Sequence, residues 1–259
     1  MGPPIPDGAV LPSSDGRAPV LPGAVRQFAV LDALMGGVYS SGIPVSELDS
    51  WGDTGIGCCE GLGGEVILID GEAFECTVDA EPRRMRHDET LPFVEVCPMG
   101  DVPGEPMAGL GLDGLTAAVE QRLASRNLFH AVRIDGVLTR VRTRVTAKQH
   151  GPGRPLAEVA AEQIETETRS CSGTLIGFWM PRIYQGISVA GLHLHFLSDD
   201  RRVGGHVLDL DIGAAVLRVC GYSQFSLRLP LDEHFLSTEL THGEDHRIVA
   251  VEGGAERSS

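Results

Sequence analysis

Apolar and polar residues alternate along much of the chain, and a period of two predicts strands, whose successive side chains point to opposite faces. The clearest run is Gly191-Leu192-His193-Leu194-His195-Phe196. Similar patterns predict strands at 65–69, 73–78, 91–97, 129–134, 137–145, 174–179, 206–211, 215–220, 223–229 and 248–251. Two dipeptides, Asp70-Gly71 and Asp135-Gly136, sit between such runs and predict two-residue hairpins. Helical signals are fewer. Residues 25–34 read as a strand and then a helix, and Pro44 opens one or two helical turns that Gly52 stops. Asp113 is placed to cap a helix to about residue 126, with Leu115, Val119 and Leu123 on one face. Residues 156–161 also read as helical.

Strands dominate, and neighbours often read as hairpins. The expected class is α+β: two strand-rich domains with mixed or antiparallel sheets and a few short helices. Residues 1–22, rich in Pro, Gly and Ser, read as a mobile tail. Gly151-Pro152-Gly153 and Pro155 read as a linker. The expected division is a sheet-and-helix domain over 23–150 and a β-rich, metal-binding domain over 151–259.

Composition narrows the setting. The 259 residues carry a net charge of −15, with 42% apolar and 22% charged residues. Those fractions are ordinary for a globular chain. The acidic surface argues against nucleic acid or an anionic membrane as the main partner. The start lacks a basic segment and an apolar core of the signal-peptide kind, and no apolar run reaches the ~18 residues of a membrane span. The six cysteines include the vicinal pair Cys58-Cys59 and no Cys-x-x-Cys. Reduced thiols in a cytoplasmic protein are the expected state.

The histidines bring in chemistry. His193 and His195 share one strand face. A turn centred between Asp200 and Arg201 would set His195 opposite His206, with Cβ atoms ~4.5–5.5 Å apart. His193 lies two positions along that face. Three imidazoles can converge on one ion and leave a coordination position open, as catalytic zinc sites do. The alternative is three histidines on a solvated sheet face. His242 and His246 have i,i+4 spacing, but Gly243 between them disfavours a helix. His87, His130, His150 and His234 are isolated and read as surface or satisfied side chains.

Basic residues concentrate over 126–154, which hold six Arg and one Lys against a single acid, Asp135. Arg140, Arg142 and Arg144 alternate with Val141, Thr143 and Val145, so three guanidinium groups should share a face. Such a group suits bidentate contact with a carboxylate. Ion pairs with the acidic surface are expected for at least two of them.

Read together, these stretches resemble the alpha-acetolactate decarboxylase family. The resemblance is carried by Gly173-Thr174-Leu175-Ile176-Gly177-Phe178-Trp179, the run 191–196, and Gly204-Gly205-His206-Val207-Leu208-Asp209. Gly64-Glu65, Val132-Arg133-Ile134-Asp135-Gly136 running on to Thr143-Arg144, and Glu252 also fit. It implies conversion of 2-acetolactate to (R)-acetoin and CO2 with bound Zn2+. It implies His193, His195 and His206 as metal ligands, and Glu65, Arg144 and Glu252 as catalytic residues. A homodimer acting on a small 2-hydroxy-3-keto acid is implied as well. One departure stands out: Cys58 occupies a substrate-lining position where the family pattern has Thr, and a thiol is the poorer hydrogen-bond donor. The competing reading is a cupin-like metal-dependent oxygenase or isomerase. It lacks the Glu expected a few residues after the second His, since Asp199 and Asp200 stand there.

Overall fold

The structure is a computed structural model that describes residues 16–150 and 153–240. Most of the chain lies in two sheets. The first contains β1 (Ala24–Phe28), β3 (Thr54–Cys58), β4 (Glu65–Ile69), β5 (Glu72–Cys76), β6 (Arg83–Arg84), β8 (Phe93–Cys97) and β14 (Gln224–Arg228), in the order β14-β1-β8-β3-β4-β5-β6. The second contains β9 (Glu105–Ala108), β10 (Phe129–Val145), β11 (Ile164–Met180), β12 (Gly191–Ser198) and β13 (Gly204–Tyr222), in the order β10-β11-β12-β13-β9. Because β10 also pairs with β13, the pairing of its four long strands closes on itself. A small ladder joins β2 (Ile43–Pro44) to β7 (Thr90–Leu91). The helices are α1 (Leu31–Met35), α2 (Leu112–Arg122), α3 (Leu156–Ala160) and α4 (Glu233–Ser237). The strand-rich α+β class is therefore as expected.

Three apolar clusters hold these layers together. Leu31 and Leu34 of α1 and Leu156 of α3 pack on one side of the first sheet, against Val66, Leu68 and Val94. Ile56, Ile67 and Phe74 from the first sheet meet Ile176, Phe178 and Tyr222 from the second. Leu115 and Val119 of α2 pack on the second sheet with Ile134 and Phe196. Truncating a fully buried residue such as Ile67 to Ala would cost about 2–5 kcal/mol. Tyr222 places its hydroxyl at the middle layer and donates to the Pro98 carbonyl at 2.9 Å.

The hairpin at Asp70-Gly71 forms as expected, with both residues at positive φ. The hairpin expected at Asp135-Gly136 does not form. Both residues lie inside the 17-residue strand β10, where Asp135 pairs with Thr174 on one side and Val216 on the other. The acid is there for its charge: Arg133, Arg218 and Thr174 all donate to it. Gly136 is there for space. A Cβ would overlap the Ala214 carbonyl oxygen and Ala215 on β13. Likewise the runs 206–211 and 215–220 are one continuous strand, β13.

Other boundaries shift too. The described part of the expected tail is docked: Ala18 donates to the Arg122 carbonyl, and Pro19 and Leu21 bond both sides of Gly221. Residues 1–15 and the expected strand 248–251 lie outside the described residues. The helix α2 starts earlier than expected, at Gly111, whose carbonyl takes the first helical bond from Leu115; Asp113 sits in the first turn without capping. It ends at Arg122 because Leu123 turns to an extended backbone and buries its side chain. The sheets do not divide at residue 150. Strand β10 precedes that point yet belongs to the second sheet, and β14 follows it yet joins the first beside β1.

Candidate metal centre

The register expected for the histidine hairpin is the register found. His195 pairs with His206, Phe196 with Gly205, and Leu197 with Gly204. Ser198 anchors the turn by accepting the Val203 N–H and donating to Asp200. Gly205 sits at φ +146°, and its backbone runs against the Arg144 carbonyl, leaving no room for a Cβ. That close approach brings β10 alongside, so Arg144 pairs with His206. Four polar side chains from three adjacent strands thus gather on one patch: His193 and His195, His206, and Arg144.

The first sheet supplies the opposite wall. His195 Nδ1 lies 3.0 Å from the Val66 carbonyl oxygen of β4. A carbonyl can only accept, so Nδ1 carries the proton and Nε2 keeps its lone pair. Glu65, the residue before Val66, places Oε2 3.5 Å from His195 Nε2 and Oε1 3.6 Å from an Arg144 terminal nitrogen. Cys58 of β3 pairs with Glu65 in register and lines the same pocket, half-buried.

Burial sets the electrostatics. Arg144 is 2% exposed, so its charge acts in a low-dielectric setting. Burial is also the main cause that pushes the His195 imidazole down to about 3, aided by Arg144 and opposed by its bond to Val66. His193 is pushed well down by burial, with His195 and Arg144 adding to it. Both rings are neutral near pH 7, the form that binds metals.

The donor set fits a divalent cation. One ligand atom from each of His193, His195 and His206 can be chosen so that all lie within 4.8 Å of one another, and all three residues are buried. His193 Nε2 and His206 Nδ1 are 3.0 Å apart. The Nδ1–H bond to a carbonyl is the outer contact that commonly orients a metal-bound imidazole.

The three arginines part company. Arg140 pairs with Asp209 and Asp211, and Arg142 with Glu165, all at the part-exposed surface. Arg144 alone of the three reaches the buried patch. Acids from elsewhere in the chain offset the rest of the basic stretch: Asp70 meets Arg133, Glu60 meets Lys148 and Glu162 meets Arg154. Glu252, His242 and His246 lie outside the described residues. His130 is a satisfied core histidine, whereas His87, His150 and His234 are exposed. Asp199 and Asp200, which stand where a cupin-like site would place its Glu, are exposed in the turn, whereas the three histidines are buried.

Sequence patterns missed the roof of the pocket. Leu31, Leu34, Leu62, Phe93, Thr146 and Leu156 line it above Glu65, Arg144, His193 and His195. Thr146 donates to the Leu62 carbonyl, fixing the turn that carries Leu62. Nothing marks these residues in the sequence, because core leucines look the same wherever they pack.

With apolar walls and a few convergent polar groups, the pocket has the make-up of a small-molecule site. Fold and site together define a small-molecule enzyme with a centre able to hold a metal. The alpha-acetolactate decarboxylase family model matches residues 25–242. The chain is 35% identical to the alpha-acetolactate decarboxylase of Methanosarcina mazei, covering 87% of this chain and 79% of that one. It is 32% identical to that of Bacillus licheniformis, covering 90% and 92%. The crystal structure of the Bacillus subtilis alpha-acetolactate decarboxylase superposes with a TM-score of 0.86 at 30% identity, covering 89% of this chain and all of that one. The chain belongs to the alpha-acetolactate decarboxylase family and is a carboxy-lyase.

Proposed function

We propose that this pocket decarboxylates 2-acetolactate to (R)-acetoin and CO2 with a bound zinc ion. The observation that carries the reading is the buried histidine triad beside Arg144 and Glu65. Loss of CO2 from a 2-hydroxy-3-keto acid leaves an electron pair on carbon, which delocalises as an enediolate. Zinc held by His193, His195 and His206 would supply Lewis acidity to the two oxygens that take up this charge. Arg144 holds the substrate's oxygens and fixes its orientation, and its burial strengthens that contact. Glu65 or Glu252 delivers a proton to one face of the enediolate carbon, which sets the product's configuration. Cys58, next to Glu65 across the strands, lines the substrate's path with a weak donor.

Two wider features rest on the same reading. The family resemblance supports a homodimer, tested by light scattering on the purified protein. The thiols Cys59, Cys76, Cys97, Cys171 and Cys220 support a cytoplasmic setting.

The decisive experiment pairs metal analysis with anaerobic turnover of 2-acetolactate. One zinc per chain and (R)-acetoin formed without O2 is the expected result. Turnover that requires O2, or racemic acetoin from the wild-type enzyme, would overturn the proposal.

A further inference from the structure

The pocket walls divide by chemistry. One side is polar, with Glu65, Arg144, His193 and His195. The other is hydrocarbon, and part of it comes from neither sheet. Leu34 belongs to α1 and Leu156 opens α3, two five-residue helices that touch each other. Their spacing is fixed by a bond between flanking segments: the Arg154 N–H donates to the Tyr39 hydroxyl at 2.9 Å. Leu34 and Leu156 are 4% and 5% exposed, so they are packed as core residues while facing the pocket.

A 2-hydroxy-3-keto acid divides in the same way. Its carboxylate, hydroxyl and ketone oxygens suit the polar side. Its alkyl groups are left to the hydrocarbon side. We propose that Leu34 and Leu156 are the specificity-determining residues that limit the length of the substrate's carbon-2 alkyl group. This inference rests on the decarboxylase reading above. The two leucines act on size alone: a packed wall resists an added methylene, and truncation opens room for it. One methylene in such a pocket changes relative kcat/KM by roughly 10–200-fold.

The test uses Leu34→Ala and Leu156→Ala in the metal-loaded enzyme. Relative kcat/KM is measured for two substrates, the 2-methyl acid and its homologue with propyl at carbon 2. In each variant the propyl-to-methyl ratio should rise about tenfold or more over wild type. An unchanged ratio in folded variants, with the wild-type enzyme active on the methyl acid, overturns the wall and leaves the decarboxylase reading intact. A wild-type enzyme inactive on both acids overturns the decarboxylase reading itself and the wall with it. Should the alanine variants fail to fold, Leu34→Val and Leu156→Val carry the same test with an ethyl homologue, and a flat ratio there overturns the wall equally.

Discussion

One imidazole joins the two sheets: His195 of β12 directs Nδ1 at the Val66 carbonyl of β4, 3.0 Å away. The bond fixes the tautomer and turns Nε2 toward the patch shared with His193 and His206. His195→Ala removes a proposed ligand and this orienting contact together. Even losing an outer-shell contact costs roughly 10–100-fold in metal affinity, so losing the ligand should cost at least ~100-fold. The variant is expected to purify with far less bound metal and to lose activity in parallel. Full activity in a metal-free His195→Ala enzyme would remove the triad from the mechanism.

Arg144→Lys keeps the charge and loses the planar fork. A lysine ammonium is a point charge on a flexible stem and cannot make two parallel bonds. Because Arg144 is buried beside Glu65, the replacement also leaves an imperfectly paired charge. We expect kcat to fall about 10²–10³-fold. Steady-state kinetics on 2-acetolactate check this, and wild-type values would take Arg144 out of the site.

Glu65→Gln keeps the shape of the side chain and removes its proton. If Glu65 is the acid, kcat falls roughly 10²–10⁴-fold while KM changes little. Chiral analysis of residual product is the sharper readout. Acetoin of unchanged configuration at unchanged kcat assigns the proton to Glu252.

Gly136 lies within β10 where a Cβ would overlap Ala214 and Ala215 on the paired strand. Forcing an extra methyl into such a space costs about 1–3 kcal/mol. Gly136→Ala should therefore unfold at lower urea than wild type with an unchanged m-value. An equal midpoint would mean that β13 can move aside.

That glycine also shows where sequence reasoning stops. Asp-Gly between two alternating runs has the chemistry of a hairpin, and at Asp70-Gly71 it makes one. At Asp135-Gly136 the same dipeptide serves a salt-bridge node and a close strand approach. Only the partners decide: Arg218 and Ala215 lie some 80 residues further along. Local patterns carry no information at that range. The histidine patch was legible because its hairpin is local and its register follows from one turn. Arg144 could be singled out from Arg140 and Arg142 by family likeness, not by spacing. What separates the three is burial under Glu65, which depends on how the sheets stack. The leucine roof was invisible for the same reason.

His130 gives a pH dependence with a definite sign. Its Nε2 accepts the Ala124 N–H at 3.0 Å, and its Nδ1 lies 3.0 Å from the Leu128 carbonyl. A ring that donates through Nδ1 and accepts through Nε2 must be neutral. Burial pushes its pKa down from 6.5 to about 4, with the Leu128 bond opposing the change. The unfolded chain therefore binds a proton more readily than the folded one between about pH 6.5 and 4. Stability from this group is complete above pH 6.5 and is lost as pH falls through that window. The loss amounts to about 3 kcal/mol, since a tenfold difference in proton affinity between the folded and unfolded chain is worth ~1.4 kcal/mol. The neutral rings of His193 and His195 push in the same direction in metal-free protein, so wild type alone cannot isolate the effect. His130→Gln can, because an amide offers a donor and an acceptor and does not titrate. Urea unfolding at pH 7.5 and pH 5 should show a smaller loss in the variant than in wild type. Equal losses would mean that His130 stays unprotonated in the unfolded chain or is already protonated in the folded one, against the bonds that hold it.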